Sequence, residues 1–258
     1  TAQARVASAA ARCRELIRGP DRPDLQGLYE VSHGVACAIM GQWSEALDHT
    51  VTAERLLRDH CSGMRWALAM AQFYRVTACW CLGDTREVVR LVPRYVAEAM
   101  ELGDAHALGG MRTGRGSVYW LLVDRPAEGR AMAAAGLPRR NPDDTFHLHD
   151  YFHALADAQL DLYEGEAGHA IERVEPIWAP FHGSLLRRVQ FVRLDITLLR
   201  ARCALAAAAA DRDRARLLEL ARRGCDDVDR AQAPWARPIA TLLRAGMANV
   251  RGDQSLAL

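Results

Sequence analysis

Along the chain, apolar residues recur at spacings of three and four, and strand-like alternation is nearly absent. That periodicity predicts an all-α protein. Short polar turns of one form interrupt the apolar stretches: a Gly or its substitute, a polar residue, then the start of a new amphipathic segment. "GQWSEAL", "GDTREVV", "DRPAEGR", "GEAGHAI", "ADRDRAR" and "GDQSLAL" begin at Gly41, Gly83, Asp124, Gly165, Ala210 and Gly252, at intervals of 42, 41, 41, 45 and 42 residues. A fixed period of this length is the signature of a helical repeat. Small residues recur at fixed offsets from these anchors. Gly34, Val76, Ser117, Ala158, Cys203 and Ala245 stand seven residues before, and Ala46, Val88, Gly129, Ala170, Ala215 and Ala257 five after. None is larger than valine, which is what close helix packing requires.

Each anchor therefore predicts an antiparallel helical hairpin with Gly as the terminator of its first helix. The first helices are expected at about 25–40, 65–82, 105–122, 146–164, 184–209 and 235–251, and the second at about 43–59, 85–102, 126–136, 167–179 and 211–230. Six hairpins follow, at about 25–59, 65–102, 105–136, 146–179, 184–230 and 235–258, forming a single α-solenoid domain over 1–258. Breaker clusters, "RGPDRPD" and "GLPRRNPDD", separate hairpins. Pro93 is expected to bend or break its helix. "TAQARVASAAARCRELIRG" reads as a second helix lacking its first, and the chain stops at Leu258 as a sixth second helix begins. The expectation is a piece of a larger protein with hydrophobic surface at both ends, through which two copies could pair.

The order Gly-x-aromatic-x-Glu-Ala-Leu in "GQWSEAL", with its flanking small residues, resembles the tetratricopeptide (TPR) repeat. The period near 42 exceeds the usual 34 of that family and is similar to the degenerate tetratricopeptide-like arrays of bacterial signal-transduction ATPases and multidomain serine/threonine protein kinases. "DHCSGMRWAL", "GMRTGRGSVYWL", "FHLHDYFHALADAQLDLYEGE" and "SLLRRVQFVRLDITLLRARCAL" resemble the C-terminal helical region of kinases that carry an ATPase module between kinase and repeats. The resemblance spans about Gly41 to Gly252. It implies a right-handed superhelix, first helices lining the concave surface, and an accessory role beside catalytic modules absent from this sequence.

Composition narrows the function. All 33 basic residues are arginine, and none is lysine. A P-loop, a protein-kinase core and Schiff-base chemistry each need a lysine, so none resides in this chain. The formal net charge of +1 provides no global field for nucleic acid or an anionic membrane. The longest apolar run, Cys203 to Ala210, is far shorter than the roughly 18 residues of a membrane span. Seven scattered cysteines read as reduced, packed thiols of a cytoplasmic protein.

The sharpest chemical candidate is "DDTFHLHDYFHALAD", which places His149, His153 and Asp157 at successive i, i+4 steps, a spacing suited to a metal. The competing reading is an ordinary amphipathic helix. Thr145 or Asp144 would be its N-cap and Leu148, Phe152, Leu155 and Leu162 its buried stripe, with the histidines at its margin and no metal or other cofactor. In "CWC" the thiols of Cys79 and Cys81 point nearly opposite ways, and Cys79 shares a repeat offset with Cys37 and Trp120, so packing is expected. The six tryptophans are expected to fill gaps between helices. "GGMRTGRGS" lacks the third glycine of a nucleotide fingerprint. Arg187, Arg188, Arg193, Arg200 and Arg202, with Arg112 and Arg115, could line a groove for carboxylates or phosphates or form an ion-paired outer face. The sequence thus predicts a non-catalytic scaffold or regulatory domain that binds a protein, a peptide or other domains of its parent chain. Arg112, Arg115, His149, Arg188, Arg193 and Arg200 are its candidate contacts, and a small-molecule sensor is the rival reading.

Overall fold

The computed structural model describes residues 2–17, 22–136, 145–210 and 213–253. Among these residues there are thirteen α-helices and no strand. The chain groups into two compact units, Thr1–Val123 and Asp124–Leu258. The boundary falls inside the predicted third hairpin.

The first unit holds α1 (Ala2–Leu16), α2 (Pro23–Met40), α3 (Trp43–His60), α4 (Arg65–Leu82), α5 (Thr85–Glu101), α6 (Ala105–Thr113) and α7 (Val118–Leu122). From α1 to α6 consecutive helices pack on one another, α7 packs on α5, and α2 also packs on α4 and α4 on α6. The second unit holds α8 (Pro126–Ala135), α9 (Leu148–Tyr163), α10 (Ala167–Gly183), α11 (Gln190–Ala210), α12 (Arg214–Ala231) and α13 (Arg237–Arg251). Here α9 packs on α11 and α11 on α13 in the same way.

The turns follow the repeat. Gly41, Gly83, Gly165 and Gly252 have φ between 78° and 84°. In each, the amide after the glycine donates to the carbonyl four residues before it, as in Gln42 N to Cys37 O and Glu166 N to Asp161 O. This closure consumes carbonyls the helix end leaves unpaired, and only glycine adopts the conformation without a Cβ clash. Asp124 takes the same left-handed conformation, φ 57°, without being glycine.

The small residues at the predicted offsets are buried at Gly34, Val76, Ser117, Ala158 and Cys203, and at Ala46, Val88, Gly129 and Ala170. Ala245 is half-buried and Ala215 exposed. The 45-residue interval slips the register in α12, whose buried face is Leu217, Leu218, Ala221, Gly224, Cys225 and Val228. Ala257 lies outside the described residues.

Four further expectations are corrected. The predicted helix 105–122 is interrupted after Thr113 by a 3-10 turn, Arg115–Ser117, because the backbone there crowds its neighbours. A Cβ on Gly116 would lie 2.4 Å from the carbonyl oxygen of Met111, and one on Gly114 2.8 Å from the Phe73 ring. The helix expected from 184 begins at Gln190, after a separate 3-10 turn at Leu185–Arg188. Of the bend or break expected at Pro93, the break is absent, since α5 runs from Thr85 to Glu101, and α10 runs past both Pro176 and Pro180 to Gly183. The helix α9 starts after His147 rather than Thr145; the Asp150 carboxylate accepts from the His147 amide at 2.8 Å, satisfying an amide of the first turn. Asp144 lies outside the described residues.

In the first unit a buried carboxylate ties three helices together. Glu54 of α3 is 4 % exposed. It accepts hydrogen bonds from Tyr95 Oη at 2.5 Å, Arg75 Nη1 at 2.7 Å and Arg58 Nη2 at 3.1 Å. Arg58 also reaches Glu98 of α5 through both terminal nitrogens at 2.9 Å. Burial pushes the Glu54 carboxyl upward, but the bonds from Tyr95, Arg75 and Arg58 outweigh it and hold the group below the ordinary glutamate value. In the second unit buried Asp161 has a similar role, accepting from Arg173 Nε at 2.5 Å and Arg130 Nη2 at 2.7 Å.

Candidate functional site

In the second unit the facing sides of α11 and α12 carry a groove made of two adjoining cavities, about 360 and 320 Å³, which share Thr197 and Asp227. Arg193, Thr197 and Arg200 lie at i, i+4, i+7 on one face of α11, and Arg216, Leu220, Arg223 and Asp227 repeat at helical spacing on α12. Small residues set the depth of the floor. A Cβ on Gly224 would come within 2.9 Å of Ala201 Cβ and 3.5 Å of the Thr197 carbonyl oxygen, so the two helices touch backbone to backbone there.

Arg200 stands with its guanidinium carbon 4.2 Å from the centre of the Trp178 ring and forks onto Glu175 at 2.7 and 3.0 Å. That grip fixes the indole of α10 as a wall of the groove and neutralises the Arg200 charge within the protein. Arg223 pairs with Glu219 at 2.9 Å and Arg230 with Asp227 at 2.6 Å. Arg193 is exposed, lines the second cavity, and makes no ion pair among the described residues. The two linings hold five arginines, of which Arg200, Arg216, Arg223 and Arg230 pair with Glu175, Asp213, Glu219 and Asp227, so Arg193 is the lining arginine that makes no ion pair among the described residues.

The other candidates are dispersed. Arg188 is exposed on the 3-10 turn before α11 and lines neither cavity. Arg112 and Arg115 belong to the first unit; Arg112 is half-buried, and its Nε is buried without a hydrogen-bond partner. His149 sits in the first turn of α9 with its ring 6.3 Å from that of Phe152.

The proposed metal stripe does not assemble. His153 is buried, and burial lowers its imidazole, opposed by Asp157 and by a backbone bond at Gly136. Asp157 instead approaches Arg173 at 3.8 Å. Among the described residues, the one set of three metal-type side chains whose donor atoms converge is His33, Cys37 and His49, on α2 and α3. Sequence reasoning missed it because its members lie on two helices and share no short motif. Cys79 is packed with Val76, Val88 and Leu91, as expected, whereas Trp66 is 62 % exposed and fills no gap between helices.

No protein-family model, no curated protein and no solved structure matches this chain. Among the described residues, no helix is long and apolar enough to cross a membrane.

Proposed function

We propose that this chain is a non-catalytic tetratricopeptide-like α-solenoid that presents the α11–α12 groove to an acidic segment of a protein partner, or of its own parent chain. The observation that carries the reading is the arginine-lined groove, with Arg193 making no ion pair among the described residues at one end and Trp178 held as an aromatic wall at the other. A carboxylate-bearing peptide would pair with Arg193 and compete for Arg223 and Arg230, and its apolar side chains would lie against Trp178 and Leu220. Support for the solenoid comes from the near-constant repeat and from helix-on-next-but-one packing within each unit. The regulatory role, a right-handed superhelix reporting partner binding to catalytic modules of a serine/threonine kinase, rests on the resemblance of the sequence strings alone.

The test is a binding screen of the 258-residue chain against an array of acidic and charge-scrambled peptides. The array is repeated with Arg193→Glu and with the double variant Arg193→Glu/Arg223→Glu, after circular dichroism confirms folding. Acidic peptides retained by the native chain and weakened at least about tenfold by Arg193→Glu support the reading. Equal retention by all three proteins overturns it.

The small-molecule sensor reading has one observation in its favour: a cavity of about 360 Å³ with an aromatic wall falls within the range of metabolite pockets. Five of its ten lining residues are charged, however, which favours an open polar groove over an apolar, ligand-enclosing pocket.

A further inference from the structure

The second cluster lies in the first unit, where α2 and α3 approach closely. A Cβ on Gly34 would meet Thr50 Cγ2 at 2.9 Å and His49 Cβ at 3.2 Å, so the missing side chain is what allows α3 to lie this near. The consequence is that His49 of α3 stands beside His33 of α2, with ring centres 4.1 Å apart. Cys37, one turn after His33 on the same face, is buried beneath them. One donor atom from each of the three side chains lies within 4.8 Å of the other two.

Both imidazoles are oriented from behind. Glu30 Oε2 is 2.5 Å from His49 Nδ1, and Tyr29 Oη is 3.2 Å from His33 Nδ1. Each ring therefore uses Nδ1 toward a protein partner and leaves Nε2 available. A carboxylate or hydroxyl behind the imidazole is the usual support of a metal-ligating histidine. The rings are half-buried, which leaves a path to solvent, and the ligands project from two helices rather than from a loop.

We propose that His33, Cys37 and His49 bind a divalent ion of the zinc class through the two Nε2 atoms and the Cys37 sulfur. Two imidazole nitrogens and one thiolate are a donor set for zinc or cobalt and not for magnesium or calcium, which take oxygen. Bonds of about 2.0–2.3 Å to a tetrahedral ion place ligand atoms about 3.5 Å apart, so the site closes by small side-chain rotations. Binding replaces the thiol proton of Cys37 with the ion and releases that proton to water, and a water molecule completes the fourth position. The ion would fasten α2 to α3 within the first hairpin, away from the groove of the second unit.

Cobalt(II) titration of the untagged, chelator-treated chain tests this directly. One cobalt per chain, with visible bands of tetrahedral intensity and a thiolate-to-cobalt charge-transfer band that zinc abolishes, is the expected result. Absence of a stoichiometric complex overturns the proposal, without appeal to any variant. Cys37→Ser should lose the charge-transfer band. Glu30→Gln, which removes only the support behind His49, should weaken binding by about 10–100-fold, and His49→Gln should weaken it more. The double variant His149→Ala/His153→Ala should titrate as the native chain does. Retention of the band in Cys37→Ser, or its loss in the His149/His153 variant, would place the ion elsewhere and sink the assignment.

Discussion

Glu54 in the first unit and Glu219 in the second are both glutamates gripped by arginines, yet they act at opposite depths. Glu54 is buried among α3, α4 and α5, where its oxygens meet Tyr95, Arg75 and Arg58. Glu219 lines the groove from α12 with its side chain 42 % exposed, and accepts from Arg222 and Arg223. Those bonds hold its carboxyl down to about 2. Solvent screens the exposed cluster, so that displacement carries little folding energy. Glu54 pays a large burial penalty, and its three partners are what make it tolerable. The first arrangement holds helices together; the second offsets arginine charge at the edge of a groove.

The comparison breaks most sharply at Glu54. Glu54→Ala leaves Arg75 and Arg58 partly buried with a partner removed, and should cost about 3–5 kcal/mol in denaturant unfolding. A loss below about 1 kcal/mol would show that the network contributes no more than a surface cluster. Tyr95→Phe keeps the ring and removes one hydrogen bond to a charged acceptor, for an expected loss of about 1.5–3 kcal/mol by the same measurement.

Acid should separate the two glutamates further. Because the Glu54 carboxyl is held below its unfolded value, its contribution is fully present above the ordinary glutamate range and is lost as pH falls through the lowered folded value. Denaturation midpoints of the native chain should therefore drop more steeply between about pH 5 and 3 than those of Glu54→Gln. Parallel curves would exclude Glu54 as the source. The smallest effect belongs to Glu219→Ala, which should leave the denaturation midpoint essentially unchanged while freeing Arg223 from its carboxylate. It should tighten acidic-peptide binding modestly in the array format, and a fall in affinity would contradict the proposal that the groove receives an acidic segment.

The hairpin turns were legible because left-handed helix ends demand glycine, and glycine at a fixed period is visible without any structure. The offsets survived where loop length was constant and slipped at Ala215, where the interval grew to 45. The break after Thr113 was not legible as a break. Gly114 and Gly116 are there because Phe73 and the Met111 backbone crowd them, and those contacts lie in three dimensions. Pro93 looked like a breaker, yet α5 runs through it, as α10 runs through Pro176 and Pro180.

Of the groove, the α11 stripe of Arg193 and Arg200 was readable from spacing. The α12 side and the Trp178 wall were not, because pairing one helix face with another requires the packed unit. The same holds more strongly for His33 and His49, which are brought together only by the small residue at Gly34. The histidine stripe that spacing did pick out went the other way, with His153 turned into the core and Asp157 near an arginine.

The turn glycines have a consequence for engineering. Around Gly83, Gly103, Gly165 and Gly252 an added Cβ would find no atom within 4 Å. These corners are closed by their own backbone bonds. New sequence spliced in at such a corner would leave the packed faces on either side undisturbed. Gly83 and Gly165, each within one compact unit, are therefore natural insertion points for a fluorescent reporter or an additional helical hairpin.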